Sequence, residues 1–258
     1  MYPDARIWGI ASQAELRIVR IGGTASDQYM PPNEMLSGWV NAIKAMGAEP
    51  MIQVSHFNGA EAAAEVASTN KPIAAAMKAV DPTIKIFAPD ECDFYDAYYA
   101  ALLRGDDSAT DISGKVPGQN YYYNDGVSWH RHVGYTPENI EIERLTTAGA
   151  NDYLVTIQKT RALIDKVNTA RGRLGTDALQ WGIGEFNSSE GRRVGSFENG
   201  QMFAEVYGYI MKYGGTYGAT WSMYENGGKC FGTDYGFVDA KNTATLLVLS
   251  YANDLGEL

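Results

Sequence analysis

The residues best suited to chemistry gather just beyond apolar stretches: Arg20, His56, Asp90, Glu91, His130, Glu185, Trp221 and Glu225. A carboxylate gathered with an arginine and a histidine serves proton transfer or attack by an anion, the cation holding the carboxylate ionised. Glu185 closes the run Leu179-Gln180-Trp181-Gly182-Ile183-Gly184-Glu185-Phe186-Asn187. Alternate residues of a strand share a face, so Trp181, Ile183 and Glu185 are predicted to point one way. Gly182 and Gly184 then face the other way and let another element approach the backbone. An ionised carboxylate on an inward face is costly unless it is paired or works at the mouth of a site. The alternative is a strand that simply ends in a solvated Glu. Arg20 reads equally as that carboxylate's partner or as half of a structural ion pair. His130 and His132 are two apart on one strand face, a spacing that chelates a metal. His56, the remaining histidine, or a carboxylate would have to complete such a set.

These residues need strands to hold them and helices to cover the strands. Seven stretches read as strands: Arg6–Ile10, Leu16–Ile21, Met51–Ser55, Thr83–Ala88, Gly126–His132, the Glu185 run, and Thr216–Met223. A helix opens at Pro31-Pro32-Asn33, turns Met35, Leu36, Trp39, Val40, Ile43 and Met46 to one side, and ends at Gly47. The Ala-rich segment from Ala60 to Val80 is mostly helical, with a break predicted before Pro72. Further helices are predicted over Asp93–Leu103, Asn151–Ala170, Glu198–Tyr213 and Thr243–Ala252. The Asn151–Ala170 helix carries a core stripe of Tyr153, Ile157, Thr160, Ile164 and Val167. Gly105 to Asn124 is a polar loop of a length that usually has a function. Strand alternating with helix predicts a parallel sheet with helices outside. In a closed barrel the residues after the strands meet at one mouth. An open doubly wound sheet would also place its site at the strand ends.

Composition narrows the choice. The 258 residues suffice for one large domain spanning 1–258. The 31 acidic residues outnumber the 21 basic ones, giving a formal net charge of −10, which argues against a nucleic-acid partner or an anionic membrane. No run of about 18 apolar residues exists, so no membrane span is expected. The start, Met1-Tyr2-Pro3-Asp4, lacks a basic-then-apolar secretion signal. Cys92 and Cys230 are too few to define a disulfide framework. Gly22-Gly23 and Gly227-Gly228 are too weak for a phosphate fingerprint, and no cofactor is expected.

The order of the pieces resembles the clan A glycoside hydrolases. Val19-Arg20-Ile21-Gly22-Gly23 is similar to that family's second strand, whose Arg supports the nucleophile. Asp81 to Asp90 is similar to the segment entering the fifth, Asp125 to His130 to the sixth, whose His lines the sugar site. Gly184-Glu185-Phe186-Asn187 resembles the seventh, where the nucleophile sits, and Thr220-Trp221-Ser222 the eighth, whose Trp forms a sugar platform. The resemblance implies a TIM-type (β/α)8 barrel that cuts glycosidic bonds with retention, a poly- or oligosaccharide substrate, and a secreted or periplasmic place of work. The family's Asn-Glu pair, which carries the general acid after strand four, is not found between His56 and Lys85. The barrel is therefore expected to be shortened or altered. If Ile84–Ala88 is strand four instead, Glu91 becomes the acid; otherwise Glu91 is a solvated loop residue.

Under this resemblance Glu185 and Glu91 are the catalytic candidates, and Arg20, His56, His130, Trp221 and Glu225 the substrate-binding ones. His130 would hydrogen-bond a sugar hydroxyl or Glu185. Trp221 would offer a flat face to a sugar ring, whereas Trp129 faces away from His130 and packs against helices. Two other readings compete. Without a competent acid the barrel binds carbohydrate and does not cut it. A metal-dependent hydrolase rests on the His130-His132 spacing alone.

Overall fold

Along the chain strands alternate with helices, and among the described residues every pairing between strands is parallel. The computed structural model describes residues 5–23, 31–53, 63–134, 141–189, 193–224, 235 and 236. In order these form α1 (Ala5–Gln13), β1 (Ile18–Ile21), α2 (Asn33–Ala45), β2 (Glu49–Ile52), α3 (Ala63–Val80) and β3 (Phe87–Glu91). Then come α4 (Asp96–Leu102), β4 (Gly126–Val133), α5 (Ala150–Arg171), β5 (Gln180–Ser188), α6 (Phe197–Lys212) and β6 (Tyr217–Thr220). One sheet has the order β3-β4-β5-β6; a second holds β1 and β2. β1 lies beside β6.

The mixed α/β architecture with parallel strands is as expected, but the described residues form no closed barrel. Six strands are present among them, not seven. Arg6–Ile10 belongs to helix α1, because Ile7, Ala11 and Ala14 are all buried and recur at a helical spacing that a five-residue window hides. The break expected before Pro72 is also absent: α3 runs through it. Tertiary contacts hold this helix across the proline. Asn70 and Asn124 exchange side-chain amide hydrogen bonds, the Lys71 ammonium donates to the carbonyls of Ser108 and Ala109, and Val66, Ala67, Ala74 and Lys78 are buried. A helix thus occupies the stretch where the resemblance placed strand four, and β2 and β3 are not paired. The expected helix Thr243–Ala252 lies outside the described residues. Among the described residues no helix is long and apolar enough to cross a membrane.

The core lies between the four-stranded sheet and its helices. The predicted stripe of α5 is buried in full. Its Tyr153 hydroxyl reaches the carbonyls of Arg131 and Asn187, at 2.5 and 2.9 Å, tying the helix to β4 and β5. Trp129, Trp181 and Ile183 are fully buried in the same cluster. Trp181 donates its indole N–H to the Tyr213 carbonyl at the end of α6. Phe186 packs edge-on against Tyr153, Phe203 and Tyr207. These contacts commit one face of the sheet to helices and leave the other for polar groups.

Candidate functional site

β5 does not alternate as a regular strand would. Trp129 pairs with Ile183 but His130 pairs with Glu185, so Gly184 is an extra residue. Such a bulge shifts the facing of everything after it. Trp181 and Ile183 therefore face the helices while Glu185 faces the other side, correcting the expectation that all three share a face. The glycines serve as expected in one respect: a Cβ on Gly182 would strike the Tyr217 ring, and one on Gly184 the Asp90 carboxylate. Gly184→Ala is expected to destabilise the fold by about 1–3 kcal/mol through overpacking and to push Asp90 off its partners. Urea denaturation of the variant checks this.

On the polar face Glu185 is met from two strands, β1 and β4. The Arg20 guanidinium on β1 donates from Nη1 to Glu185 Oε2 at 2.9 Å and to the Gly184 carbonyl at 3.1 Å. His132 on β4 brings Nε2 within 3.1 Å of Glu185 Oε1. His130 stands between two carboxylates. Its Nε2 is 3.0 Å from Asp90 Oδ2, and its Nδ1 is 3.7 Å from Glu185 Oε2. Asp90, on β3, also lies 3.7 Å from Arg20 Nη2. The same Nη2 donates to Gln53 Oε1 at 2.7 Å, and that oxygen accepts the Gly23 backbone N–H at 2.8 Å. Arg20 is thus spread over two carboxylates, an amide and a carbonyl, a use of its planar fork that Lys cannot reproduce.

Burial pushes the Glu185 carboxyl up, but His132, His130 and Arg20 together hold it below the ordinary carboxylate range. Asp90 follows the same balance. Burial raises it, and the His130 hydrogen bond and charge, Arg20 and Ser128 bring it below its usual value. Both groups are therefore anions at neutral pH. A carboxylate depressed in the folded state contributes stability above its unfolded pKa, about 4.3 for Glu and 3.9 for Asp. That stability is lost as pH falls through the lower folded value. The unfolding free energy is expected to fall on acidification through this window, and less steeply for Glu185→Gln or Asp90→Asn. Urea titrations of parent and variants at stepped pH check the slopes.

Several candidate residues do converge. Arg20, His130 and Glu185 are in direct contact range. Trp221 follows β6, bonds its backbone N–H to the Phe186 carbonyl at 3.0 Å, and lies against Gly23, whose φ of +108° suits glycine. The Asn187 side-chain amide donates to the Trp221 carbonyl. Trp129 is buried on the helix side, as alternation predicts. His56 and Glu225 lie outside the described residues.

Two expectations need correction. Glu91 is not brought to Glu185: it pairs in register with Trp129, on the helix-facing side, and accepts the Tyr98 hydroxyl of α4 at 3.0 Å. Its neighbour Asp90, in register with Ser128, takes the place on the polar face. His130 bonds Asp90, and it is His132 that bonds Glu185. The metal expectation rests on the same two histidines, but each faces a carboxylate of this cluster, and among the described residues no group of three His, Cys, Asp or Glu side chains is arranged to hold a metal ion. Gln53 escaped the sequence reading altogether, since an amide at a strand end carries no signal of its own. His132 is visible in the sequence as a same-face neighbour of His130, a spacing that suggests a metal ligand rather than a partner of Glu185.

A cavity of about 440 Å3 lies between β1, β6 and α6 and touches Arg20, Glu185 and Trp221. Phe203, Tyr207, Ile210 and Met211 also line it, whereas Asp90, His130 and His132 do not. It therefore opens on Glu185 and Arg20 at one end and extends between β1 and β6 toward α6, away from Asp90 and the two histidines.

No protein-family model matches the chain, and no curated protein matches it in sequence. Solved structures do match in fold. A family 51 α-L-arabinofuranosidase from Bifidobacterium longum superposes with a TM-score of 0.69 at 10% identity, covering 96% of this chain and 66% of its own. A glucosidase from Croceicoccus marinus gives 0.59 at 13%, covering 98% and 64%. A β-glucuronidase from an uncultured Clostridium sp. gives 0.54 at 9%, covering 98% and 46%. The chain thus shares a fold with glycoside hydrolases along nearly all its length and spans about half to two thirds of theirs.

Proposed function

We propose that this chain is a glycoside hydrolase that cleaves O-glycosidic bonds of a poly- or oligosaccharide by a retaining double displacement, with Glu185 as the attacking carboxylate. The observation that carries the reading is the setting of Glu185: both its oxygens are held by cationic or donor groups, and its pKa is depressed. An anion fixed in this way attacks an anomeric carbon and forms a glycosyl ester, which water then opens. Arg20 keeps the carboxylate ionised and aimed. Trp221, beyond β6, offers an aromatic face to a sugar ring.

Retention requires a second group that gives a proton to the leaving oxygen. Dinitrophenyl glycosides bypass that need, because their leaving group departs as a stable anion. A panel of 2,4-dinitrophenyl α-L-arabinofuranoside, glucosides and β-glucuronide tests the reading. The expected result is a burst of dinitrophenolate equal to the protein concentration on at least one of them. The absence of any burst across the panel would overturn it.

A second reading is a carbohydrate-binding domain that does not cut. It is favoured by the ionised state of Asp90, which leaves no protonated carboxyl beside Glu185 among the described residues. Calorimetric binding of a sugar without release of reducing ends would select it.

A further inference from the structure

We propose that His130, positioned by Asp90, is the proton donor and acceptor that works with Glu185; this rests on the reading of Glu185 as the attacking carboxylate. The described carboxylates do not fill that role. Asp90 is an anion engaged by His130 and Arg20. Glu91 stands on the opposite face of the sheet, bound by Tyr98. His130 is placed differently from both. Its Nε2 is anchored on Asp90 at 3.0 Å, and its Nδ1 lies 3.7 Å from Glu185 Oε2. A separation of 3.7 Å is too long for a hydrogen bond, so Nδ1 sits beside the attacking oxygen without being tied to it. In its doubly protonated form the ring offers one N–H to Asp90 and one to a ligand on Glu185. A carboxylate behind an imidazole fixes the ring's orientation and stabilises the cation, the arrangement general acid-base chemistry uses elsewhere. His132 is committed otherwise, with Nε2 on Glu185 Oε1 at 3.1 Å. The side chain of His130 is 16% exposed.

A Glu185 oxygen bonds to the anomeric carbon while the glycosidic C–O bond breaks, and the leaving oxygen keeps the electron pair and takes the proton from His130 Nδ1. The products are an alcohol, a glycosyl ester on Glu185 and a neutral imidazole. Water then attacks the anomeric carbon and gives a proton to Nδ1, and the ester bond returns its pair to Glu185.

The test compares leaving groups. Methyl and 2,4-dinitrophenyl glycosides of the same sugar from the panel are assayed with the parent, His130→Asn and His130→Gln. Hydrolysis of the methyl glycoside is expected to fall by roughly 10²–10⁴-fold in both variants. The rate of the first dinitrophenolate burst should stay within about tenfold of the parent, since that step needs no donor. Asp90→Asn should show the same selective loss to a smaller extent. Equal losses on both substrates, or none on either, would overturn the assignment while leaving Glu185 as the nucleophile. Failure of the parent to give a burst on any sugar would remove the underlying reading and the assignment together.

Discussion

Glu185→Gln is expected to lower turnover of a dinitrophenyl glycoside by roughly four to six powers of ten, the scale on which loss of a covalent nucleophile acts. Gln keeps the size of the side chain and one acceptor oxygen, so His132 or Arg20 retains a partner. It removes the anion, and an amide cannot form the ester intermediate. The burst should vanish with the steady state, because both depend on that bond. At neutral pH the variant should lose the stability that the depressed carboxylate contributes, while remaining folded. The variant relieves the desolvation of one buried charge while weakening its pairing with Arg20. Stopped-flow absorbance at the dinitrophenolate band, read beside a denaturation curve, separates a lost reaction from a lost fold. A variant that keeps parental burst amplitude would remove Glu185 from the mechanism.

The second large effect belongs to Arg20. Its side chain is 7% exposed and faces both Glu185 and Asp90. Arg20→Met leaves two carboxylates facing each other's surroundings without their shared cation. Breaking a buried ion pair on one side costs about 3–5 kcal/mol. The lower end is expected here, because Glu185 and Asp90 keep 17% and 19% exposure and therefore some water. The variant should also raise the Glu185 pKa, since a lowering charge and hydrogen bond are removed. The acid limb of any pH–rate profile then moves to higher pH. Arg20→Lys should restore charge but not geometry. One ammonium cannot serve Glu185, the Gly184 carbonyl, Gln53 and Asp90 together. Urea denaturation and the pH–rate profile of both variants check this. An unmoved acid limb in Arg20→Met would show that Arg20 does not tune Glu185.

How much of this was legible in the residues depends on the kind of signal. The α5 stripe repeats at a helical period over many turns, and all five of its predicted residues are buried. Alternation on β4 correctly separated Trp129 from His130. It fails on β5 because a bulge leaves no mark in composition; Gly184 signals close approach but not an inserted residue. The same one-residue sensitivity decided between Asp90 and Glu91. Adjacent acidic residues on a strand face opposite ways, and only the pairing with Ser128 and Trp129 says which is which. Arg6–Ile10 was too short a window to tell helix from strand. Pro72 carried a strong local signal that long-range bonds from Asn70 and Lys71 override. The convergence of Arg20 with Glu185 spans 165 positions in the chain, and it was foreseeable only through the family resemblance.

A nucleophilic Glu185 must form a covalent bond to an anomeric carbon. The most direct measurement uses 2-deoxy-2-fluoro glycosides carrying a dinitrophenyl group, in the three sugar types of the panel. Fluorine at C2 slows both steps by destabilising positive charge at C1, and the good leaving group restores only the first, so the ester accumulates. Proteolysis and mass spectrometry then locate the label. One glycosyl group per chain is expected, on the peptide holding Glu185, and none in Glu185→Gln. A label on any other residue, or a chain that stays unlabelled with every sugar, would contradict it.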